Sequence, residues 1–164
     1  MNSAVLNKEE ILAWLHEIPD PEIPVISIVE LGVIRGLNLN DGTLEVTITP
    51  TYSGCPAMKQ MEEDVIKKLN EKGFSKVNIH TVYDPAWTTD WINAEARLKL
   101  QNYGIAPPEG SKDKTALMGE PKSVTCPRCK SKHSEMVSQF GSTACKALYK
   151  CKDCLEVFDY FKCI

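Results

Sequence analysis

The sequence predicts an α+β protein with two domains: a small open α/β sheet with helices on one face, followed by a small β zinc-ribbon domain. Two observations carry this prediction. Helical and alternating apolar periods fill the first two thirds of the chain, and four cysteines are set as two CxxC pairs near the C-terminus. Between them, residues 105–122 are rich in Pro, Gly and Lys and lack periodicity. We therefore predict a first domain over 1–104, a linker over 105–122 and a ribbon over 123–164.

The first domain opens with a helix and a hairpin. Asn7 followed by Glu10 predicts a capped start, and apolar residues at helical spacing extend the helix over 8–18. Strands are expected over 33–39 and 43–49, because they flank Asn40-Asp41-Gly42, a strong hairpin signal. Polar and apolar residues alternate in the second strand, so one face of the hairpin is expected to be buried.

A second helix, a third strand and a third helix complete the predicted domain. The second helix begins after Cys55, with Pro56 at its first position and Gly73 just past its end. Alternating residues over 77–83 predict the strand, and the third helix covers 88–103. Helices against one face of a small sheet are the expected architecture.

The four paired cysteines predict a metal cage. Each CxxC pair forms a bent knuckle, and two knuckles close a tetrahedral site; the ligands are Cys126, Cys129, Cys151 and Cys154. Strands over 123–125 and 147–149 would lead into the knuckles as in a zinc ribbon. A structural zinc ion is the favoured occupant, with a rubredoxin-like iron centre or a thioredoxin-type redox pair as alternatives. Such a cage can stabilise the fold without any further role.

Three cysteines lie outside the cage. Cys55 precedes the second helix, where free N–H groups and the helix dipole would lower its pKa and favour a reactive or metal-binding thiolate. The alternative is a small residue packed under the hairpin. Cys145 and Cys163 are interpreted first as free thiols, and second as a further metal or cluster-handling site.

Asp20 and Glu22 form an acidic pair in a proline-rich loop. Paired carboxylates can perform acid–base chemistry or bind a hard metal ion, whereas such a loop more often only caps a helix or turn, which is the favoured interpretation unless the loop faces Cys55. The histidines are scattered; His133 is close enough to the knuckles to substitute for a ligand, but four thiolates already suffice.

Charge is distributed unevenly. Residues 1–110 contain 16 acidic and 9 basic residues, whereas 111–164 contain 10 basic and 6 acidic residues. The acidic part argues against nucleic acid as a partner, and basic residues beside the knuckles offset the charge of a thiolate cage. The first residues lack the basic and apolar regions of a signal peptide, and no apolar stretch reaches the length of a membrane span. We expect a cytoplasmic protein with reduced thiols and no membrane contact.

Several motifs resemble a known family. Asp20-Pro-Glu-Ile-Pro24, Val29-Glu-Leu-Gly32 and Thr51-Tyr-Ser-Gly-Cys55-Pro56 are similar to the small domain of SufT-type iron–sulfur assembly factors. The tail, with Cys126-Pro-Arg-Cys129, 141–149 and 158–164, resembles the PaaD (PaaJ) branch, which accompanies phenylacetyl-CoA epoxidase. This resemblance implies a site at Cys55, Asp20, Glu22 and Thr51, where Fe or an Fe–S cluster would be held transiently.

The resemblance also implies an accessory role in phenylacetate degradation. The protein would mature or maintain the iron or iron–sulfur centres of the epoxidase, with the oxygenase and reductase components or iron–sulfur assembly proteins as partners. An activity as an enzyme in its own right is not indicated, since the sequence contains no recognisable substrate or cofactor pocket. The alternative is a non-catalytic structural subunit of the oxygenase complex. A nucleic-acid-binding ribbon is the weakest alternative, because few aromatic residues flank the basic ones.

Overall fold

The computed structural model describes residues 7–109 and 123–162. The chain forms two compact units, Met1–Trp87 and Thr88–Ile164. The break between the units therefore falls before the third predicted helix, whereas the sequence placed the end of the first domain at residue 104. Both units combine helix and sheet, which confirms the predicted α+β class.

The first unit contains a three-stranded sheet in the order β1-β2-β3. Strands β1 (Ile34–Asn40) and β2 (Thr43–Ile48) form the predicted antiparallel hairpin. Asp41 and Gly42 both have positive φ, as a two-residue type I′ turn requires. Strand β3 (Val77–Thr81) lies parallel to β2. The apolar residues of β2 are buried while its polar residues are not, so one face of the hairpin is buried as predicted.

Two helices belong to this sheet. Helix α1 (Lys8–His16) begins at the predicted cap, where Asn7 Oδ1 accepts the N–H of Glu10 at 3.3 Å, and ends two residues before the predicted end. Helix α2 (Met58–Glu71) joins β2 to β3 and buries the side chains of Met61, Val65 and Leu69. It starts two residues after Pro56, which lies in the preceding turn rather than at the first helical position. That difference matters because Cys55 is then outside the helix.

The second unit contains helix α3 (Ala94–Tyr103) and a four-stranded sheet. The sheet has the order β4-β7-β6-β5, with β4 Ile105–Ala106, β5 Ser134–Ser138, β6 Lys146–Cys151 and β7 Val157–Phe161. The third helix is shorter than predicted, because Thr89–Trp91 form a separate 3-10 turn and Asn93 Oδ1 caps α3 through the N–H of Ala96 at 2.7 Å.

Two expectations for this unit were wrong. The predicted linker begins with a strand, since Ile105 and Ala106 pair in parallel with Asp159 and Tyr160 of β7; residues 110–122 lie outside the described residues. Residues 123–125 form no strand, although the second predicted knuckle strand, 147–149, lies within β6.

A small apolar core lies behind the cysteine cage. It combines aromatic side chains of β6 and β7 with two cage cysteines; the buried members are Ala106, Val124, Cys126, Ala147, Tyr149, Cys151, Phe158 and Tyr160. The rings of Tyr149 and Phe158 stack with centroids 6.1 Å apart. Eight buried residues are few for an independent core, so the metal ligands are also part of the packing.

Candidate functional site

Asp20 and Glu22 lie in a loop whose two ends are joined by backbone hydrogen bonds. Pro19 and Ser27 form an isolated antiparallel bridge, and the N–H of Asp20 donates to the carbonyl of Ile26 at 2.9 Å. Asp20 Oδ1 accepts the N–H groups of Glu22 at 2.9 Å and Ile23 at 2.7 Å. Asp20 is 4% exposed. One oxygen of this carboxylate therefore caps the turn, and the loop holds the charge in a fixed, buried position.

Cys55 lies in a tight turn between β2 and α2. Its N–H donates to the carbonyl of Tyr52 at 3.4 Å, and its carbonyl accepts the N–H of Met58 at 3.3 Å. Gly54 has φ +79°, a conformation in which a side chain would be strained. The cysteine is 8% exposed. The turn thus buries most of the thiol while leaving a small part accessible.

The electrostatics of Cys55 differ from the sequence-based expectation. Burial raises the pKa of the Cys55 thiol, and this outweighs the N–H of Ala57 and the hydroxyl of Tyr52, which both lower it by hydrogen bonding to the sulfur. The carboxylates of Glu22 and Asp20 raise the pKa further. The predicted lowering was therefore wrong: the N–H group at the start of the helix acts on the sulfur, but desolvation is larger. At neutral pH the thiol is protonated.

Three of the four predicted site residues, Asp20, Glu22 and Cys55, therefore interact electrostatically. Asp20 and Glu22 are close enough to Cys55 to affect its charge state, and Thr51, in the same segment as Cys55, is buried. Sequence reasoning did not predict the hydrogen bond of the Tyr52 hydroxyl to the Cys55 sulfur, although the place of Tyr52 three residues before a cysteine in a glycine turn was a usable signal. It also missed Thr49, whose buried hydroxyl has no hydrogen-bond partner among the described residues.

The four predicted metal ligands meet in the second unit. The sulfurs of Cys126, Cys129, Cys151 and Cys154 all lie within 4.8 Å of one another. Two of the separations are 3.7 Å, between Cys126 and Cys154, and 3.5 Å, between Cys129 and Cys151. Sulfurs around a tetrahedral zinc ion with Zn–S bonds of about 2.3 Å would be about 3.8 Å apart. The donor set and its spacing therefore fit a tetrahedral thiolate-bound metal.

The thiols of the cage cannot all ionise together without a cation. The N–H of Cys154 donates to the sulfur of Cys151 and lowers its pKa to about 7. The N–H of Glu156 lowers the pKa of Cys154, but burial and the neighbouring thiols outweigh it and raise that pKa to about 12. A divalent ion supplies the charge that lets crowded thiolates coexist.

The remaining candidates are not among the clustered ligands of the cage. His133 Nδ1 lies 3.3 Å from Asp153 Oδ1 and is not one of the clustered ligands. Cys145 is buried, with its sulfur 3.0 Å from the hydroxyl of Thr143. Cys163 lies outside the described residues, so a pair with Cys145 stays a prediction.

Fold and site together define a class: an iron–sulfur assembly fold joined to a zinc ribbon. The family described as iron–sulfur cluster assembly protein matches residues 8–81, and the PaaD zinc beta ribbon domain matches residues 110–162. The two matches cover the Cys55 turn and the cysteine cage respectively. Both agree with the resemblances found in the motifs.

Whole-chain relatives narrow the family. The chain is 48% identical over 155 residues to a protein of Escherichia coli named as a subunit of 1,2-phenylacetyl-CoA epoxidase, covering 94% of this chain and 92% of that protein. The chain belongs to the family of this epoxidase subunit. It is also 39% identical over 103 residues to an Fe-S protein maturation auxiliary factor of Porphyromonas gingivalis, covering 61% of this chain and 97% of that protein.

Solved structures agree for the first part of the chain. A domain of unknown function (DUF59) from Bacillus anthracis has a TM-score of 0.52 and 27% identity, covering 56% of this chain and 89% of that one. A conserved hypothetical protein from Thermotoga maritima has a TM-score of 0.50 and 26% identity, covering 58% and 94%. Within the described residues, no helix is long and apolar enough to cross a membrane.

Proposed function

We propose that this protein matures or maintains the iron or iron–sulfur centres of a phenylacetyl-CoA epoxidase in the cytoplasm. Cys55 binds the iron or cluster transiently, and Asp20, Glu22 and Thr51 shape its surroundings. The observation that carries this proposal is the convergence of a buried thiol and two carboxylates in a domain of the iron–sulfur cluster assembly family. Soft and hard donors side by side suit an iron species that is held and then released.

The protonated state of Cys55 supports transfer rather than permanent binding. Metal binding must displace a proton from a thiol whose pKa is raised, so its affinity is lower than that of a preformed thiolate site. The four-cysteine cage has the opposite properties: four sulfurs are already arranged for one ion. We assign zinc to that cage as a structural ion, and the oxygenase and reductase components, or iron–sulfur assembly proteins, as partners of the chain.

Reconstitution of the epoxidase tests the proposal. Anaerobic apo-components are supplied with ferrous iron and sulfide, with full-length wild-type protein or with the Cys55→Ser variant, and epoxidase activity and iron content are measured. We expect the wild-type protein to raise both and Cys55→Ser to fail. Cys145→Ser is the comparison variant, because it removes a buried thiol that is neither Cys55 nor a cage ligand; loss of activation in this variant would instead support the predicted second site at Cys145. Equal activation by wild type and Cys55→Ser would refute the role of Cys55.

The name of the Escherichia coli relative favours one second candidate, a structural subunit of the oxygenase complex. A stable, stoichiometric complex with the oxygenase on gel filtration, unchanged by Cys55→Ser, would support this alternative. Association that is only transient supports the maturation role.

A further inference from the structure

A cleft with a volume of about 320 Å³ lies in the second unit, where the end of α3 meets the first cysteine knuckle and the start of β7. Its lining includes Tyr103, Gly104, Arg128, Glu156, Val157 and Phe158. None of the residues that line it is a cage ligand or belongs to the proposed iron site. The cleft is therefore a feature to which neither cysteine site assigns a role.

The backbone of the second unit builds the walls of the cleft. Gly104 ends α3 in the left-handed region, with φ +95°, and the chain continues directly into β4. Ile105 of β4 pairs in parallel with Asp159 of β7. Two residues earlier in each segment, Tyr103 and Val157 both line the cleft. The strand register thus brings the end of α3 next to the start of β7.

The cleft presents apolar surface to solvent. Tyr103 is 60% exposed and Val157 51%, and Leu155, which comes two residues before Val157, is 66% exposed. Phe158 forms a buried base, because its ring stacks on that of Tyr149 with centroids 6.1 Å apart. Exposed apolar residues grouped around an aromatic base are typical of an interaction surface. A small-molecule pocket buries about 70–90% of its ligand, so walls this exposed suit a protein segment better.

The edge of the cleft provides donors for a carboxylate. Arg128 is exposed, and its Nη1 donates to Glu156 Oε2. A guanidinium has several further N–H donors in a fork that matches a carboxylate. Lys130 Nζ donates to the carbonyl of Pro127 at 2.8 Å, which places a second cation beside a lining residue. A thiolate cage that holds zinc is itself negative, so the local fork of Arg128, rather than net charge, selects the carboxylate.

We propose that this cleft docks an extended acidic segment of an epoxidase component. An apolar or aromatic side chain of that segment enters between Tyr103 and Val157 and rests on Phe158. A neighbouring carboxylate of the segment binds Arg128. The choice of the epoxidase as partner rests on the proposed function, whereas the chemistry of the segment rests on the cleft. Because the first knuckle carries Arg128, the metal ion of the cage also fixes one edge of the docking surface.

Binding to the purified oxygenase and reductase components tests the proposal. Fluorescence anisotropy of the labelled, zinc-loaded full-length protein gives Kd for each component. We expect one component to bind, and Tyr103→Ala and Arg128→Gln each to raise its Kd by about tenfold or more, as at a central contact. Phe140→Ala and Lys132→Gln are the matched controls, because both residues are exposed in the second unit but do not line the cleft.

Zinc content is measured for every variant, since Arg128 is next to a cage ligand. Tyr103 lies outside the knuckles, so Tyr103→Ala remains decisive if Arg128→Gln loses zinc. Wild-type binding by Tyr103→Ala would overturn the proposal. Failure of the wild-type protein to bind either component would also overturn it, as would an equal loss of affinity in Lys132→Gln, which reports general electrostatic attraction.

A photo-cross-link identifies the occupant. With p-benzoylphenylalanine incorporated at position 103, the cross-linked peptide is sequenced by mass spectrometry in the presence of the component that binds. We expect a segment of that component with an apolar residue close to an acidic one. Replacement of that acidic residue by lysine should restore the binding of Arg128→Glu. Cross-links to residues 110–122 of this chain or to a second copy would contradict the proposed occupant.

The docking proposal and the proposed function fail separately. If Tyr103→Ala binds normally while Cys55→Ser does not activate the epoxidase, the maturation role stands and the docking cleft falls. If Tyr103→Ala loses affinity while Cys55→Ser activates fully, the docking cleft stands and the role of Cys55 falls.

Discussion

The Cys55 site and the four-cysteine cage use the same side chain under opposite conditions. Cys55 is one thiol in a turn that hydrogen bonds and an apolar core hold in place, and burial keeps it protonated. In the cage, four thiols share a space that they can occupy as anions only with a cation, and two of them belong to the local core. The fold therefore positions Cys55 without a metal ion, whereas a metal ion bound by the cage contributes to the folding of the second unit.

Removal of the metal ion should cause the largest difference in stability between the sheet around the cage and the sheet of the first unit. Structural zinc in small domains contributes about 10–16 kcal/mol, so chelation should unfold the sheet around the cage. Hydrogen exchange should show loss of protection in β5, β6 and β7, with protection in β1, β2 and β3 retained. Cys151→Ser should reproduce the effect, and Cys145→Ser should not. Protection that survives in β6 of the metal-free protein would contradict a metal-dependent fold.

A core substitution should give the converse result. Leu69 of α2 is fully buried, so Leu69→Ala should lower the free energy of unfolding of the first unit by about 2–5 kcal/mol. Denaturant unfolding and zinc content would be measured together, and zinc should stay at its wild-type ratio. The exposed Leu39 provides a matched control, Leu39→Ala, with little expected change. Loss of zinc in Leu69→Ala would show that the two regions are not independent.

Two substitutions of Asp20 separate its structural role in the loop from its electrostatic effect on Cys55. Asp20→Ala leaves the N–H groups of Glu22 and Ile23 without their acceptor and should cost about 1–3 kcal/mol of stability. Asp20→Asn keeps an oxygen acceptor and should cost less stability. Because this variant lacks the negative charge of Asp20, it should also lower the pKa of the Cys55 thiol, which is measured by the pH dependence of alkylation of Cys55 with iodoacetamide. Equal stability of the two variants would mean that the turn does not depend on this acceptor.

The buried hydroxyl of Thr49 predicts a stabilising substitution. Thr49 is buried and its hydroxyl has no partner among the described residues, so Thr49→Val should raise stability by up to about 1 kcal/mol in thermal or denaturant unfolding. Thr47→Val, at a half-buried position of β2 two residues before Thr49, is the comparison. A loss of stability in Thr49→Val would show that the hydroxyl is satisfied in solution.

The smallest effect is expected at an exposed ion pair. Lys68 Nζ donates to Glu17 Oε2 at 2.8 Å, which lowers the pKa of Glu17 and raises that of Lys68. Any stabilisation is therefore present above pH 4.5 and below pH 10.5, and is lost as pH falls through the lowered pKa of Glu17. Thermal unfolding of Glu17→Gln should differ slightly from wild type at pH 7 and coincide with it in acid. A difference that persists in acid would assign it to packing.

Local signals predicted the first unit well. The cap at Asn7, the turn at Asp41-Gly42 and the glycine after α2 each act within a few residues of the chain, so the sequence is sufficient to identify them. Spacing alone also identified the four cage ligands, because each CxxC pair forms its knuckle locally. The sequence analysis overlooked Ser27 and Glu30, which have the Ser-x-x-Glu spacing of a capping box but lie in a turn without a helix; the side chain of each accepts the other's N–H.

Properties that depend on tertiary context could not be predicted. The direction of the Cys55 pKa shift follows from burial beside Asp20 and Glu22, and no local pattern reports that burial. The pairing of Ile105 with Asp159 joins residues 54 positions apart, so a segment that looked like a linker begins as a strand. Strand β7 was not predicted, because polar and apolar residues do not alternate regularly along it: its last two residues, Tyr160 and Phe161, are both buried.

The comparison between the two cysteine sites is tested most directly by metal and acid-labile sulfide content per chain. Anaerobically purified wild-type protein and Cys55→Ser would be analysed side by side, with absorption spectra. The account predicts one zinc per chain in both proteins, and additional iron and sulfide, below one equivalent, in the wild type alone. Iron in the four-cysteine cage, or equal iron in wild type and Cys55→Ser, would contradict it.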